Sequence, residues 1–436
     1  MRNGGAGEAD PEDTAGPARG RVRRSAAYHP RMTCESSATR FDVLIVGGGL
    51  VGASLACALE GSGLRIGLVE AEPPGTTPAP PSTFDQRNLA LAAGSVATLA
   101  ELGVWPHLAP RHAPIRRIHV SRAGDFGAVR LVARDYGREA FGAVVVARDL
   151  GEALERRLAS LDAVTRLRPA RLRDVGALAD GMRTVEVETE GGPQRLTARL
   201  LVAADGTRSV VREALGIGVA RHDYGQVLFV SSVAAQRAPD GGAWERFGPH
   251  GPTALLPRPD GRYGAVCGVA ADEAEAVAAF DDAAYLEFLQ ARIGWRAGRL
   301  TAVGARAAYP LVRTVADALV APRAVLVGNA AQTIHPVGAQ GFNLGLRDAM
   351  GLAAAIAGRA DPGAADVLAG YAAARTADRT RTLAFSDGLA RITSNPSRLL
   401  AALRGLGLLA VDLLPPLRDP LVAGAMGFRG RPEQVA

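Results

Sequence analysis

Residues 47–52 read Gly-Gly-Gly-Leu-Val-Gly, and what flanks them narrows the fold more than any other stretch of the chain. Before them, Phe41 to Val46 is a short apolar run, the pattern of a parallel strand buried on both faces. After them, Leu50 to Glu60 carries apolar residues at helical spacing, and Leu64 to Val69 is a second apolar run ending in Glu70. Strand, Gly-x-Gly-x-x-Gly turn, helix, strand and closing acid are the order of a βαβ unit built around a dinucleotide. Gly47 allows the tight turn, Gly49 lets the backbone approach a pyrophosphate, and Gly52 lets helix and strand pack closely. The helix N-terminus then faces the negative charge. Glu70, 18 residues past the third glycine, is placed to accept hydrogen bonds from a ribose. The motif alone does not separate FAD from NAD.

A chain of 436 residues exceeds one ordinary core, so two lobes are expected. The net charge of +6 comes almost wholly from arginine, a balance that suits an anionic cofactor or an anionic membrane surface. No basic run with interleaved aromatics occurs, so no nucleic-acid partner is expected. Cys34, Cys57 and Cys267 have no metal-ligand or disulfide spacing, which fits a reducing cytosol and no metal, and Cys57 reads as a small core residue. No apolar run of about 20 residues suggests a membrane-spanning helix. The first 31 residues read as disordered, with neither signal nor transit character, and Met32 is an alternative start.

Further along, Pro73 to Pro81 reads as a loop and Val96 to Leu102 as a helix. Thr253–Leu256 and Tyr263–Val269 read as strands around an Asp260-Gly261 turn. Ala324 to Val327 is again a buried strand, followed by a Gly-rich loop and a helix from Gly341 to Ala357. The boundaries that follow are an extension at 1–40, a dinucleotide lobe from 41–112, 146–216 and 320–360, a substrate lobe from 113–145 and 217–319, and C-terminal helices over 361–436.

Two more motifs complete the pattern. A strand at Leu201–Ala204 runs into Asp205-Gly206-Thr207-Arg208-Ser209, and Val325–Ala331 leads into His335-Pro336-Val337-Gly338-Ala339-Gln340-Gly341-Phe342-Asn343. On these three motifs the chain resembles the flavoprotein aromatic hydroxylases of the 4-hydroxybenzoate hydroxylase type, from about Phe41 to Gly427. Within them it resembles the ubiquinone-biosynthesis ring hydroxylases. The string Gly-Asn-Ala-Ala-Gln-Thr-Ile-His-Pro, with Phe247–Pro257, Phe385–Arg391 and Asp85–Leu91, is most similar to the 2-octaprenyl-6-methoxyphenol hydroxylase branch.

That resemblance implies an α/β protein: a Rossmann-like FAD-binding domain with an inserted, mainly antiparallel β-sheet substrate domain and a C-terminal helical segment. It implies one non-covalent FAD held by Gly47, Gly49, Gly52 and Glu70, by Arg87 beside the flavin, by Asp205-Gly206 (which also serve a transient NAD(P)H), by Gly328-Asn329 on the ribityl chain, and by the Gly341-Phe342-Asn343 helix start. Arg148 approaches the cofactor by the same resemblance, or forms a surface salt bridge. Asn329 stands where the family usually has Asp, and Gln332 where it commonly has His. The implied reaction uses NAD(P)H and O2, passes through a flavin C4a-hydroperoxide and hydroxylates the ring of a polyprenyl phenol. Pro336 would line the flavin face, and His335 would act as acid–base group or orient the loop. A prenyl reductase or oxidase on the same fold, or a non-catalytic subunit of a ubiquinone-synthesis assembly, are the alternatives.

Other residues read more simply. Trp105, Trp244 and Trp295 read as packing, and Arg375–Arg381 as a solvated helix face. Leu399 to Leu414 is a leucine-rich helix with Arg404 and Asp412 near one face. It either packs on the FAD domain or serves as an interfacial helix or docking surface for a lipid carrier. The corresponding location is the cytoplasm, with reversible peripheral association at the inner membrane.

Overall fold

The computed structural model describes residues 39–73, 87–108, 111–335, 338, 340–394 and 398–426. The N-terminal extension before residue 39, the loop beyond Pro73, Asp85-Gln86 and Pro336 lie outside them.

The strand Thr39–Val46 pairs in parallel with Ile66–Val69 on one side and Gly192–Ala203 on the other. Val164–Leu167 and Ala324–Leu326 extend this sheet outward, also in parallel. Both faces are covered, which is why the first strand reads as an unbroken apolar run. Val43 and Ile45 pack with the helices through Leu55 and Leu352. Leu44 and Val46 pack on the opposite side with Val185 and Leu326. The crossover helix is Leu50–Ala58, and Gln340–Ile356 lies against it. A hairpin of Ala170–Ala179 and Met182–Thr189 extends the sheet edge through Gly192–Ala203, turning on Asp180 and Gly181 at positive φ.

The second sheet has nine strands, with the long Val219–Ala235 strand near one end. All its pairings are antiparallel except that of Gly242–Gly248 with Arg117–Arg122. The expected hairpin of Gly251–Pro257 and Tyr263–Ala270 is present. Its loop is longer than a two-residue turn, because the Arg258 guanidinium bonds the Asp260 carboxylate within it. The helix Asp282–Ile293 covers one face of this sheet around Tyr263, Cys267 and Tyr285. Arg117–Arg122 and Ala128–Val132 join this sheet, whereas Ala113–Pro114 and Gly142–Val146 pair with Asn88–Ala92 in a small third sheet.

Two sequence expectations are corrected. Arg375 and Arg379 are not on a solvated face: Arg375 is buried against Asp348 and Asp378, and Arg379 donates to the Ala316 and Ala331 carbonyls. Among the described residues, the helix Arg398–Leu413 packs chiefly on the Ala128–Val132 strand and its neighbouring helix Pro415–Ala425 rather than on the dinucleotide lobe. It lies on the Arg117–Val132 hairpin, where Gly127 and the Gly405 carbonyl come close enough to exclude a side chain. Of the tryptophans, Trp244 packs on Tyr263 and Trp105 on His112, while Trp295 is exposed. Cys57 is buried in the core, and burial pushes its thiol up to about 12. Among the described residues no helix is long and apolar enough to cross a membrane.

Candidate cofactor and substrate site

Val46 is in register with both Ala203 and Val69, and Ala203 with Leu326. Gly47, Glu70, Asp205 and Gly328 therefore leave the sheet at one carboxyl edge, although up to 281 residues separate them in the chain. Ligands of open α/β sheets bind at such an edge. Gly47 has φ of +105°, and a Cβ there would fall 2.5 Å from the Ala204 carbonyl oxygen. A Cβ on Gly52 would lie 1.9 Å from the Gly47 oxygen. These two glycines are required by the protein's own packing. Gly49 differs: its φ is −66°, and a Cβ would meet no atom within 4 Å. It leaves a bare helix N-terminus, capped by no side chain, with room for a diphosphate. The Glu70 carboxylate accepts from Gly48 N–H at 2.6 Å and Glu72 N–H at 2.8 Å, which fixes it beside that turn.

The Asp205 carboxylate accepts from the Ser209 hydroxyl at 2.5 Å and from Val211 N–H at 3.1 Å. Ser209 in turn caps the Val210–Ala214 helix. Gly328 turns at φ of +60° against Val51. Its N–H donates to the buried Asp348 carboxylate at 3.2 Å, and Gln332 Nε2 donates to the same oxygen at 2.7 Å. Arg375 Nε completes the cluster on the other oxygen at 2.8 Å. Burial pushes the Asp348 carboxyl up, while Arg375, Gln332 and Gly328 pull it back. Asn329 is exposed between buried Gly328 and Ala330, so its side chain opens onto space at this edge.

The helix Gln340–Ile356 starts beside this turn, with Gly341 and Phe342 in its first turn. Asn343 uses both ends of its amide on the strand Asn88–Ala92, accepting from Ala92 N–H at 3.0 Å and donating to the Ala90 carbonyl at 2.9 Å. Arg87 precedes that strand, and its carbonyl accepts from Ala147 N–H. Arg148 is half-exposed and pairs with Asp149 and Glu152, the surface arrangement anticipated as its other reading. His335 is 2% exposed and meets the Tyr224 ring edge-on at 4.9 Å. Its carbonyl accepts from the Ser386 hydroxyl. Burial lowers its pKa to about 4, with Asp387 pulling upward, so the ring is neutral near pH 7. Pro336 lies outside the described residues.

Sequence reasoning missed Asp348 and Arg375, which fasten the Gly328 turn from two helices. The one available signal was Gln332, whose place in the motif called for a buried partner. An exposed bare helix N-terminus, two glycines fixed by packing and an open Asn329 fit the diphosphate and sugar chain of FAD.

The comparisons agree. The FAD binding domain family matches residues 40–386. Ubiquinone hydroxylase UbiL of Rhodospirillum rubrum is 37% identical over 390 residues, covering 88% of this chain and 89% of that protein. The 3-demethoxyubiquinol 3-hydroxylase of Escherichia coli is 32% identical, covering 89% of this chain and 98% of that protein. Among solved structures, p-nitrophenol 4-monooxygenase PnpA from Pseudomonas putida shares the fold, with a TM-score of 0.75 at 20% identity over 90% of this chain and 99% of that one. The chain belongs to the FAD-dependent flavoprotein monooxygenases, within the family of ubiquinone-biosynthesis hydroxylases.

Proposed function

We propose that this monooxygenase hydroxylates the ring of a polyprenyl phenol on the route to ubiquinone, and that it meets this lipid at the cytoplasmic face of a membrane. The carrying observation is the inverted amphipathicity of the C-terminal helices. Arg404 turns inward to Asp125 at 3.1 Å, and Asp412 accepts from Arg130 N–H at 2.7 Å. Leu403, Leu406, Leu409, Leu413, Leu414, Leu417 and Leu421 are left exposed. So many clustered leucines form the apolar face of an interfacial helix pair. The competing occupant is a lipid carrier or another member of a biosynthetic assembly.

In this reading Gly47, Gly49, Gly52 and Glu70 hold the ADP half of FAD. Asn329 takes the ribityl chain, and Arg87 with the N–H groups of Gly341, Phe342 and Asn343 faces the flavin. Asp205-Gly206 keep the edge open for NAD(P)H, and Arg148 stands at its margin. The chemistry that bound FAD would supply is acceptance of a hydride from NAD(P)H and activation of O2, one oxygen atom going to the ring and the other leaving as water. The protein's share is to orient the ring, exclude water and hold charge at the helix start. Neutral, buried His335 serves in this reading as a positioning group rather than an acid–base one.

The test is co-sedimentation with anionic phospholipid vesicles, together with turnover on long- and short-chain phenols. Replacing Leu406 and Leu409 by Gln is expected to weaken vesicle partitioning about a hundredfold or more, and long-chain turnover with it, since two buried leucines at roughly 1.5–3 kcal/mol each are worth about 3–6 kcal/mol together. Short-chain turnover should persist. Vesicle recovery equal to wild type assigns the face to a protein partner. Joint loss of both activities and of FAD makes the helix part of the core.

A further inference from the structure

The two faces of the nine-stranded sheet are covered differently. On one, Phe229, Leu255, Tyr263, Ala265 and Cys267 are each at most 2% exposed beneath the helix Asp282–Ile293. On the other, the register places Val120, Glu245, Ala254, Val266 and Val230 side by side across the middle of the sheet. All five are only partly covered. Glu245 belongs to this second face because its neighbours Trp244 and Arg246 turn the other way. Trp244 packs on Tyr263, and Arg246 donates to the Arg292 carbonyl at the end of the covering helix.

The second face looks toward the cofactor edge. Ala243 and Leu256 on it pack with Ala90 and Val144 of the small third sheet. Ala90 is the residue whose carbonyl holds Asn343 at the start of the Gln340–Ile356 helix. Asn88, next to Arg87, sits over Gly264 of the same face, close enough that any side chain at 264 would collide with it. The middle of the sheet and the cofactor helix thus share the Asn88–Ala92 strand as a common wall.

On this wall valines and alanines surround one carboxyl. Among the described residues no hydrogen bond or ion pair to the Glu245 side chain is found, and its surroundings are apolar enough that burial alone pushes its pKa up to about 7. A half-covered carboxyl with no protein partner in such a place is poorly solvated in its charged form. Its use is to meet a ligand, and an apolar wall with one placed polar group selects an apolar ligand carrying one polar group.

Resting on the hydroxylase reading above, we propose that Glu245 is the substrate-recognition residue of this enzyme, hydrogen-bonding the phenol hydroxyl of the ring while Val120, Ala254, Val266 and Val230 take its apolar surface. A carboxylate accepting from the phenol O–H pushes electron density into the ring, which favours attack by an electrophilic oxygen. In its neutral form the same carboxyl donates to a ring oxygen.

The test uses FAD-loaded full-length enzyme and a short-chain prenyl phenol. Phenol binding is read from the perturbation it causes in the flavin absorbance, separately from hydroxylated product per NAD(P)H consumed. Glu245→Leu is expected to weaken phenol binding at least tenfold without lowering Tm, because among the described residues the Glu245 side chain makes no bond that holds the fold. Glu245→Gln, which still accepts and donates, should bind more tightly than Glu245→Leu. Wild-type affinity in Glu245→Leu overturns the proposal, as does a lowered Tm together with equal losses in both variants. If the wild type binds the phenol but releases no hydroxylated product, the hydroxylase reading fails. The Glu245 assignment is then judged on binding alone.

Discussion

Asp348 and Arg375 form a buried ion pair, 2.8 Å apart and 27 residues apart in sequence, and the Asp348 carboxylate also holds the Gly328 N–H. The pair therefore ties the third cofactor motif to two long helices. Replacing Arg375 by Met leaves Asp348 buried without its cation, a loss of roughly 3–5 kcal/mol. We expect a lower denaturant midpoint and lower FAD content after purification. Adding Asp348→Asn should restore at least half of the lost stability. A double variant no better than the single one would mean that Arg375 acts through packing and not through charge.

The glycines of the first motif separate by mechanism. Gly52→Val places side-chain atoms where the Gly47 oxygen already is, so both fold and FAD content should be lost. A Cβ at Gly49 stands in open space, so Gly49→Val should change the stability of the apo-protein by no more than about 0.5 kcal/mol, the usual range for an uncommitted surface change. Its bound FAD should nevertheless fall at least tenfold. Differential scanning with and without added FAD checks both outcomes. A Gly49→Val protein that keeps its yellow cofactor would move the diphosphate away from this turn.

His335 sets a pH dependence whose sign is opposite to that of a histidine whose pKa is raised by folding. Its folded pKa is lowered from 6.5 to about 4, so the native state binds fewer protons than the unfolded chain in that interval. The stability it contributes is complete above pH 6.5 and is lost as the pH falls toward 4, by about 3 kcal/mol in all. Stability measured at pH 7 and at pH 4.5 should therefore fall further in the wild type than in His335→Asn. Parallel pH profiles for the two proteins would mean that the ring is protonated in the native state.

How much of this was legible in the sequence depends on whether a residue's reason lies next to it in the chain. Gly47, Gly49 and Gly52 are explained within one turn, and the strand before them by burial on both faces. The hairpin Ala170–Thr189 was not read, because its residues are largely exposed and charges such as Arg171, Arg173 and Asp174 blur any period. Arg375 looked solvated because its partner Asp348 sits on a different helix. Glu245, between Trp244 and Arg246, has the alternation of an ordinary half-exposed strand. Only the register of five strands shows that its side faces an incompletely covered wall. The leucines of the last helices were visible, but not the direction they face, since that depends on Asp125 and Arg130, which draw the polar side inward.

Asp205 carries two duties that one substitution pulls apart. Its carboxylate holds the Ser209 hydroxyl and the Val211 N–H, and so fastens the turn that lies against Gly47. Ser209 also accepts from Arg212 N–H at 3.0 Å, so the helix cap survives without Asp205. Asp205→Ala should therefore cost only about 1–2 kcal/mol of stability, the value of a lost hydrogen bond and an N–H left less well satisfied. FAD, held chiefly by the other motifs, should remain bound. The turn at Gly206 would be loosened where NAD(P)H must dock from solvent, so flavin reduction should slow more than FAD affinity falls. Stopped-flow reduction of the FAD-loaded variant reads the first quantity, and equilibrium FAD titration the second. Wild-type reduction rates beside a lowered Tm would leave Asp205 as a fastening of the turn alone.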